Sequence, residues 1–121
     1  MKLFFILFVT LISGVSFSQK GVVHVNSNSF TNLIELGNTQ ILDVRTEQEN
    51  KEGSIKGSVN IDFWHPEFIT LVKNQFDKSE PLLIYCAGGG RSGMAADKLS
   101  KKGFKVIYDL EGGYDGYTNK D

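Results

Sequence analysis

The chain has 121 residues, 40% hydrophobic and 22% charged, with a formal net charge of −1. That length fits one domain with enough apolar material to bury a core without staples, and the nearly even charge gives no support for binding nucleic acid or an anionic membrane. A single cysteine excludes an internal disulfide and argues against a closed zinc site.

Residues 1–18 read as a signal peptide. Lys2 supplies the positive start, residues 3–12 are almost entirely apolar, and Ser16-Phe17-Ser18 places small residues where a signal peptidase needs them. The apolar stretch is shorter than the roughly 20 residues of a membrane span, and no cysteine near the cut supports lipid attachment. Cleavage after Ser18 leaves a domain of residues 19–121, with 12 basic and 14 acidic residues. That mature chain is expected to be exported, either periplasmic or secreted, with no membrane contact. An uncleaved anchor is the alternative.

In chain order, residues 22–25 form a short apolar strand. A helix is expected from Ser27 or Ser29 to Gly37, with Phe30, Leu33 and Ile34 on its inner face. "QILDVR", 40–45, reads as a second strand, "TEQENKEGSIKGS" as a loop, and "VNID", 59–62, as a third strand. A helix opening at Pro66 follows, since a missing N–H costs nothing in a first turn. Its stripe is Phe68, Val72 and Phe76, widened by Ile69 and Leu71. "PLLIYC", 81–86, is a near-continuous apolar run, as in a strand covered on both faces. A helix from about Ser92 to Lys102 buries Ala95, Ala96 and Leu99 and ends on Gly103, and "KVIYDL" is the last strand. Strands alternating with helices predict an α/β domain built on a mostly parallel five-stranded sheet with helices on both faces.

The chemistry concentrates at "CAGGGRS", 86–92. Cys86 ends a strand, and in such sheets ligands bind at the carboxyl ends of strands. Ala87, Gly88, Gly89 and Gly90 let the backbone approach a sulfur closely. The N–H groups of residues 88–92, with Arg91 and the start of the following helix, can converge on one anion. Such a nest stabilises a thiolate. A lone cysteine in an apolar run is otherwise an inert buried thiol; the glycines and the arginine distinguish this one.

Read together, four segments resemble the rhodanese family, specifically its single-domain members. "DVR", 43–45, resembles the end of that family's second strand. "EQENKEGSIKGSVNID" matches its E-x-x-x-G-H-I-x-G-A-x-N-I pattern at Glu49, Gly53, Ile55, Gly57, Asn60 and Ile61, with Ser54 and Ser58 in place of the histidine and alanine. "YCAGGGRS" resembles the active loop, and "DLEGGYDGY" the closing L-x-G-G segment, where Tyr117 takes the place of a common tryptophan and the last helix is short or missing. The resemblance implies a thiosulfate-type sulfurtransferase. Cys86 takes a sulfane sulfur from a small anionic donor as a persulfide and passes it to a thiophilic acceptor, either a small molecule or a thiol-bearing protein. It implies that the loop from Ala87 to Ser92 binds the sulfur, that Arg91 orients the donor, and that no metal or organic cofactor is needed. The spacing C-x4-R differs from the C-x5-R of phosphatases and arsenate reductases of related fold, whose larger loop cradles a tetrahedral oxyanion. A persulfide carrier serving a partner protein uses the same residues.

Asp43, Arg45 and Glu49 stand as supporting residues, with Arg45 expected to pair with Glu49, as the family pattern implies. His24 and His65 lack partners at metal-ligand spacing. Phe63, Trp64 and Tyr114 are core or rim residues that can line the mouth of a pocket.

Overall fold

A computed structural model of the chain describes residues 17–19 and 21–118. Six strands form one sheet: β1 (Phe17–Gln19), β2 (Val22–Val25), β3 (Gln40–Asp43), β4 (Val59–Asn60), β5 (Leu82–Tyr85) and β6 (Ile107–Leu110). Their spatial order is β1-β2-β6-β5-β3-β4. The five strands from β2 onward are parallel, as the alternation of strands and helices requires. The sixth, β1, adds an antiparallel edge by pairing Phe17 with Val23 and Gln19 with Val22. The signal-peptide reading falls on residues 1–16, outside the described residues, and on the first two residues of β1. No helix among the described residues is long and apolar enough to cross a membrane.

Side-chain alternation splits the core in two. Leu82, Ile84 and Cys86 face α3 (Phe68–Gln75) and α4 (Gly90–Lys101), whose Phe68, Val72, Ala95, Ala96 and Leu99 are buried there. Leu83 and Tyr85 face the other way, toward Phe30, Leu33 and Ile34 of α1 (Ser27–Glu35) and Tyr114 and Tyr117 of the short α5 (Gly113–Thr118). Because β5 is central and covered on both faces, all four of its residues are buried.

Several boundaries differ from the sequence reading, four of them for local reasons that bear on the site. Asn26 caps α1, its side chain accepting from Ser29 N–H, so the helix starts without needing Ser27 or Ser29 as the cap. The loop after β3 contains α2 (Glu47–Lys51), opened by a capping box between Thr46 and Glu49. β4 ends at Asn60, whose side chain bonds the Asp43 and Arg45 carbonyls, although the Ile61 and Phe63 N–H groups still reach the Asp43 and Val44 carbonyls. Residues 65–68 form a turn, with Glu67 N–H on the His65 ring nitrogen, so α3 begins at Phe68 and not at Pro66. The register places Val25 beside Leu110, and Asp43 between Tyr85 and Asn60. The carboxyl ends of the strands thus form one edge, from which Cys86 emerges.

Candidate active site

Cys86 follows β5 directly and is 1% exposed. The chain then turns through Ala87, Gly88 and Gly89 into α4. Gly89 makes this turn possible, since its φ of +115° lies in the left-handed region. Its N–H points back to Cys86 Sγ at 3.0 Å. Its carbonyl receives the first intrahelical bond of α4, from Gly93 N–H at 3.0 Å. The N–H groups of Gly90, Arg91 and Ser92 therefore precede every intrahelical acceptor, which makes them the first-turn donors of the helix. Helix α4 begins two residues earlier than its apolar pattern suggests, and the loop supplies its first turn.

Arg91 does not stand open to the cleft. Its Nη1 and Nη2 donate to both oxygens of Glu49, at 2.7 and 2.9 Å. That fork, with the Thr46 bonds of the capping box, overcomes partial burial and holds the Glu49 carboxyl down at about 2. The same hydrogen bonds hold the Arg91 guanidinium above its ordinary value. The expected pairing of Arg45 with the Glu49 side chain does not occur; the Glu49 carboxylate is held by Arg91 of the Cys86 loop instead.

Arg45 instead forks onto Asp43, through Nε at 3.0 Å and Nη2 at 2.7 Å. Both residues are buried. Arg45 reaches the Glu49 carbonyl at 3.4 Å and the Gly53 carbonyl at 2.7 Å, and stacks 4.3 Å from the centroid of the Tyr114 ring. The remaining Asp43 oxygen positions take Asn50 Nδ2 and the Tyr85 hydroxyl, each at 3.0 Å. Tyr85 also accepts from Ile55 N–H and touches Ser58 Oγ, both at 3.0 Å, and burial raises its hydroxyl above the ordinary value. Residues 45–58 are thus tied to the sheet edge through one buried polar network, which carries Glu49 to Arg91.

The closing segment clamps the loop from its carbonyl side. Tyr114 N–H bonds the Cys86 carbonyl at 2.7 Å and Asp115 N–H bonds the Ala87 carbonyl at 3.0 Å. Gly113, with φ +60°, permits this approach; a Cβ there would lie 2.7 Å from the Cys86 carbonyl oxygen and overlap the Ala87 carbonyl. A cleft of about 230 Å³ beside the loop is lined by Arg45, Glu49, Glu52, Ala87, Tyr114 and Asp115.

Of the residues singled out in the sequence, Cys86, Ala87, Gly88, Gly89, Gly90 and Arg91 form the loop, and Asp43, Arg45 and Glu49 support it. Ser92 offers its N–H as one of the first-turn donors of α4, while its side chain is fully buried and turns inward, donating to Asp109 Oδ1 at 2.6 Å. Sequence reasoning missed Asp109, Tyr85 and the Gly113 clamp. The signal for Asp109 was a charged residue inside the otherwise apolar run 106–110. Phe63 packs into the core, while Trp64 stays exposed beside it. No group of three or more potential metal ligands occurs among the described residues.

Comparison with known proteins agrees with this geometry. The family model described as Rhodanese-like domain matches residues 26–120. The chain is 31% identical to the chloroplastic thiosulfate sulfurtransferase 16 of Arabidopsis thaliana, over 69% of this chain and 77% of that protein. It is 35% identical to the tRNA uridine(34) hydroxylase of Pelagibacter ubique, over 86% of this chain but only 35% of that protein's length. The crystal structure of a rhodanese-like domain protein from Staphylococcus aureus superposes with a TM-score of 0.67 at 30% identity, covering 78% of this chain and 89% of that one.

Proposed function

Because this chain belongs to the rhodanese-like domain family, we propose that it is a sulfurtransferase that carries sulfur as a persulfide on Cys86. The observation behind this reading is the placement of Cys86 Sγ under the Gly89 N–H and beside the first turn of α4. Donors fixed in advance around a sulfur stabilise charge on it without reorganising.

In the first step the Cys86 thiolate attacks the sulfane sulfur of a donor such as thiosulfate. The donor's S–S bond breaks, sulfite leaves with the electron pair, and Cys86 holds the outer sulfur as a persulfide anion. In the second step an acceptor such as cyanide attacks that outer sulfur, thiocyanate leaves, and the thiolate returns. This is covalent catalysis in two balanced steps: the donor's sulfane sulfur oxidises the Cys86 thiolate to the persulfide level, the acceptor returns it to the thiolate, and the protein is unchanged over the full cycle. Glu49 and Arg91 close the loop, and Gly113 to Asp115 hold its first two carbonyls.

One observation favours a second reading, a persulfide carrier for a thiol-bearing partner. The Arg91 charge is already matched by Glu49, and residues 87–90 offer no side-chain donor. A dianionic small donor therefore meets only backbone N–H groups and a neutral ion pair. Export, with removal of residues 1–18 and no lasting membrane contact, completes the proposal and rests on the composition of that segment.

The test is intact mass of the purified protein after incubation with thiosulfate. A gain of one sulfur that is lost on adding cyanide, and that is absent in Cys86→Ser, supports the enzyme. A gain discharged slowly by cyanide but rapidly by a protein thiol supports the carrier. No gain with any sulfane donor sinks both.

A further inference from the structure

Under the sulfur loop lies a row of polar side chains that the transfer steps do not use. Asp109 on β6 is 3% exposed. Its Oδ1 accepts from Ser92 Oγ at 2.6 Å, and its Oδ2 faces His24 Nδ1 on β2 at 3.1 Å. When ionised, the carboxylate only accepts, and in that state the imidazole donates from Nδ1 and the hydroxyl gives its one hydrogen to Oδ1. A separation of 2.6 Å matches an O–H···O⁻ bond. The order of the row, serine then aspartate then histidine, is not that of a nucleophilic triad, where the histidine touches the nucleophile.

The row ends on the loop itself. Ser92 Oγ stands 3.2 Å from the Gly89 carbonyl oxygen. Gly89 is therefore gripped on both sides, through its N–H by Cys86 Sγ and through its carbonyl by Gly93 N–H and the reach of Ser92. The hydroxyl has one hydrogen and two acceptors. While Asp109 is ionised, the hydrogen goes to the carboxylate. Once Asp109 is protonated, the carboxyl O–H donates to Ser92 Oγ, and the hydroxyl hydrogen turns to the Gly89 carbonyl.

We propose that Asp109, acting through Ser92, is a positioning residue of the sulfur loop: the direction of the Ser92 hydroxyl sets how firmly Gly89 holds its N–H against the sulfur of Cys86. A carbonyl that gains a second hydrogen bond is fixed in orientation, and because the Gly89 carbonyl and N–H lie in successive peptide groups joined at one Cα, holding the one restrains the other, while the carbonyl's own peptide partner, the Gly90 N–H, is polarised. The loop thus feels a proton that never reaches the cleft. Burial raises the Asp109 carboxyl above the ordinary range, the bonds from Ser92 and His24 oppose this, and Glu111 adds to the rise. His24 from β2 and Glu111 from the turn after β6 are the titratable groups acting on it, while α4 presents Ser92 and Gly93. The inference deepens the assignment of Cys86 as the sulfur carrier and rests on it only for its catalytic consequence.

The experiment measures Cys86 alkylation by iodoacetamide against pH, together with persulfide formation from thiosulfate. The proteins are wild type, Ser92→Ala, Asp109→Asn and His24→Gln, with thermal unfolding followed in parallel. Wild type should show an acid-side step in the alkylation rate besides that of the thiol. Ser92→Ala should fold, lose that step and change the transfer rate severalfold; Asp109→Asn should lose it too. His24→Gln should keep the step and move it to higher pH, because a group that lowers the carboxyl has gone. A folded Ser92→Ala protein with the wild-type profile overturns the inference, and so does a step lost in His24→Gln but kept in Ser92→Ala. Failure of wild type to form a persulfide would sink the sulfurtransferase reading while the alkylation profile still decides this one.

Discussion

Glu49 joins two parts of the site, opening α2 as its capping-box residue and holding Arg91 by both oxygens. Its carboxyl sits at about 2, below the ordinary 4.5. A lowered carboxyl adds stability that is complete above the unfolded value and disappears as pH falls through the folded one. Glu49→Gln should therefore lower stability by about 1 kcal/mol above pH ~5, a small figure because the pair is partly exposed to solvent. The gap between the two proteins should shrink between pH ~4.5 and ~2, as read from urea unfolding at each pH. A gap that is constant down to pH ~2 would mean that the carboxylate charge is irrelevant to the loop. At Gly113 the argument is steric. Gly113→Ala must adopt a left-handed backbone, at about 1–2 kcal/mol, and must also push on the Cys86 and Ala87 carbonyls. Melting should fall by about 4–8 °C or more, and sulfur transfer with it. Gly116→Ala, whose added Cβ meets nothing within 4 Å, should melt at or near the wild-type temperature and serves as the control.

Among the elements, the five parallel strands were legible because each is a short apolar run flanked by turn residues, and α3 and α4 because Phe68, Val72, Ala95, Ala96 and Leu99 repeat at helical spacing. The five-residue α2 was hidden, since it buries no side chain and so shows no apolar period. Only its T-x-x-E box marks it in the sequence. The loop itself was legible from residue type, because glycine and arginine chemistry is local. The partner of Arg91 was not, because Glu49 lies 42 residues away and arrives by way of the buried network. Nor was the inward turn of Ser92, which depends on β6 placing Asp109 beneath it. The buried pair of Asp43 and Arg45 is the hub of that network. Asp43→Ala leaves the guanidinium buried without its partner and should cost about 3–5 kcal/mol, a large part of the roughly 5–15 kcal/mol that holds such a domain. The double variant Asp43→Ala with Arg45→Met should regain part of that stability in denaturant unfolding. If the double variant is as unstable as the sum of the singles, the hub acts by packing and not by charge.

For the molecule as a whole, one sheet carries two cores, and the reactive edge is stitched from segments far apart in the chain. The β1 strand runs across the expected cleavage position, so removal of residues 1–18 leaves only Gln19 of its three residues and opens the outer edge of β2. Protein taken from the native envelope fraction should begin at Gln19 on N-terminal sequencing; an intact Met1 in cytosolic protein would remove the export proposal. The bonds from Tyr114 and Asp115 to the carbonyls of Cys86 and Ala87 carry a consequence for synthesis. A ribosome makes the cysteine some thirty positions before it makes the clamp. A nascent chain halted before residue 113 thus bears the thiol but lacks the contacts that fix its loop. On the proposed function, sulfur transfer should therefore await synthesis of the clamp, and a fragment ending before residue 113 should form no persulfide from thiosulfate.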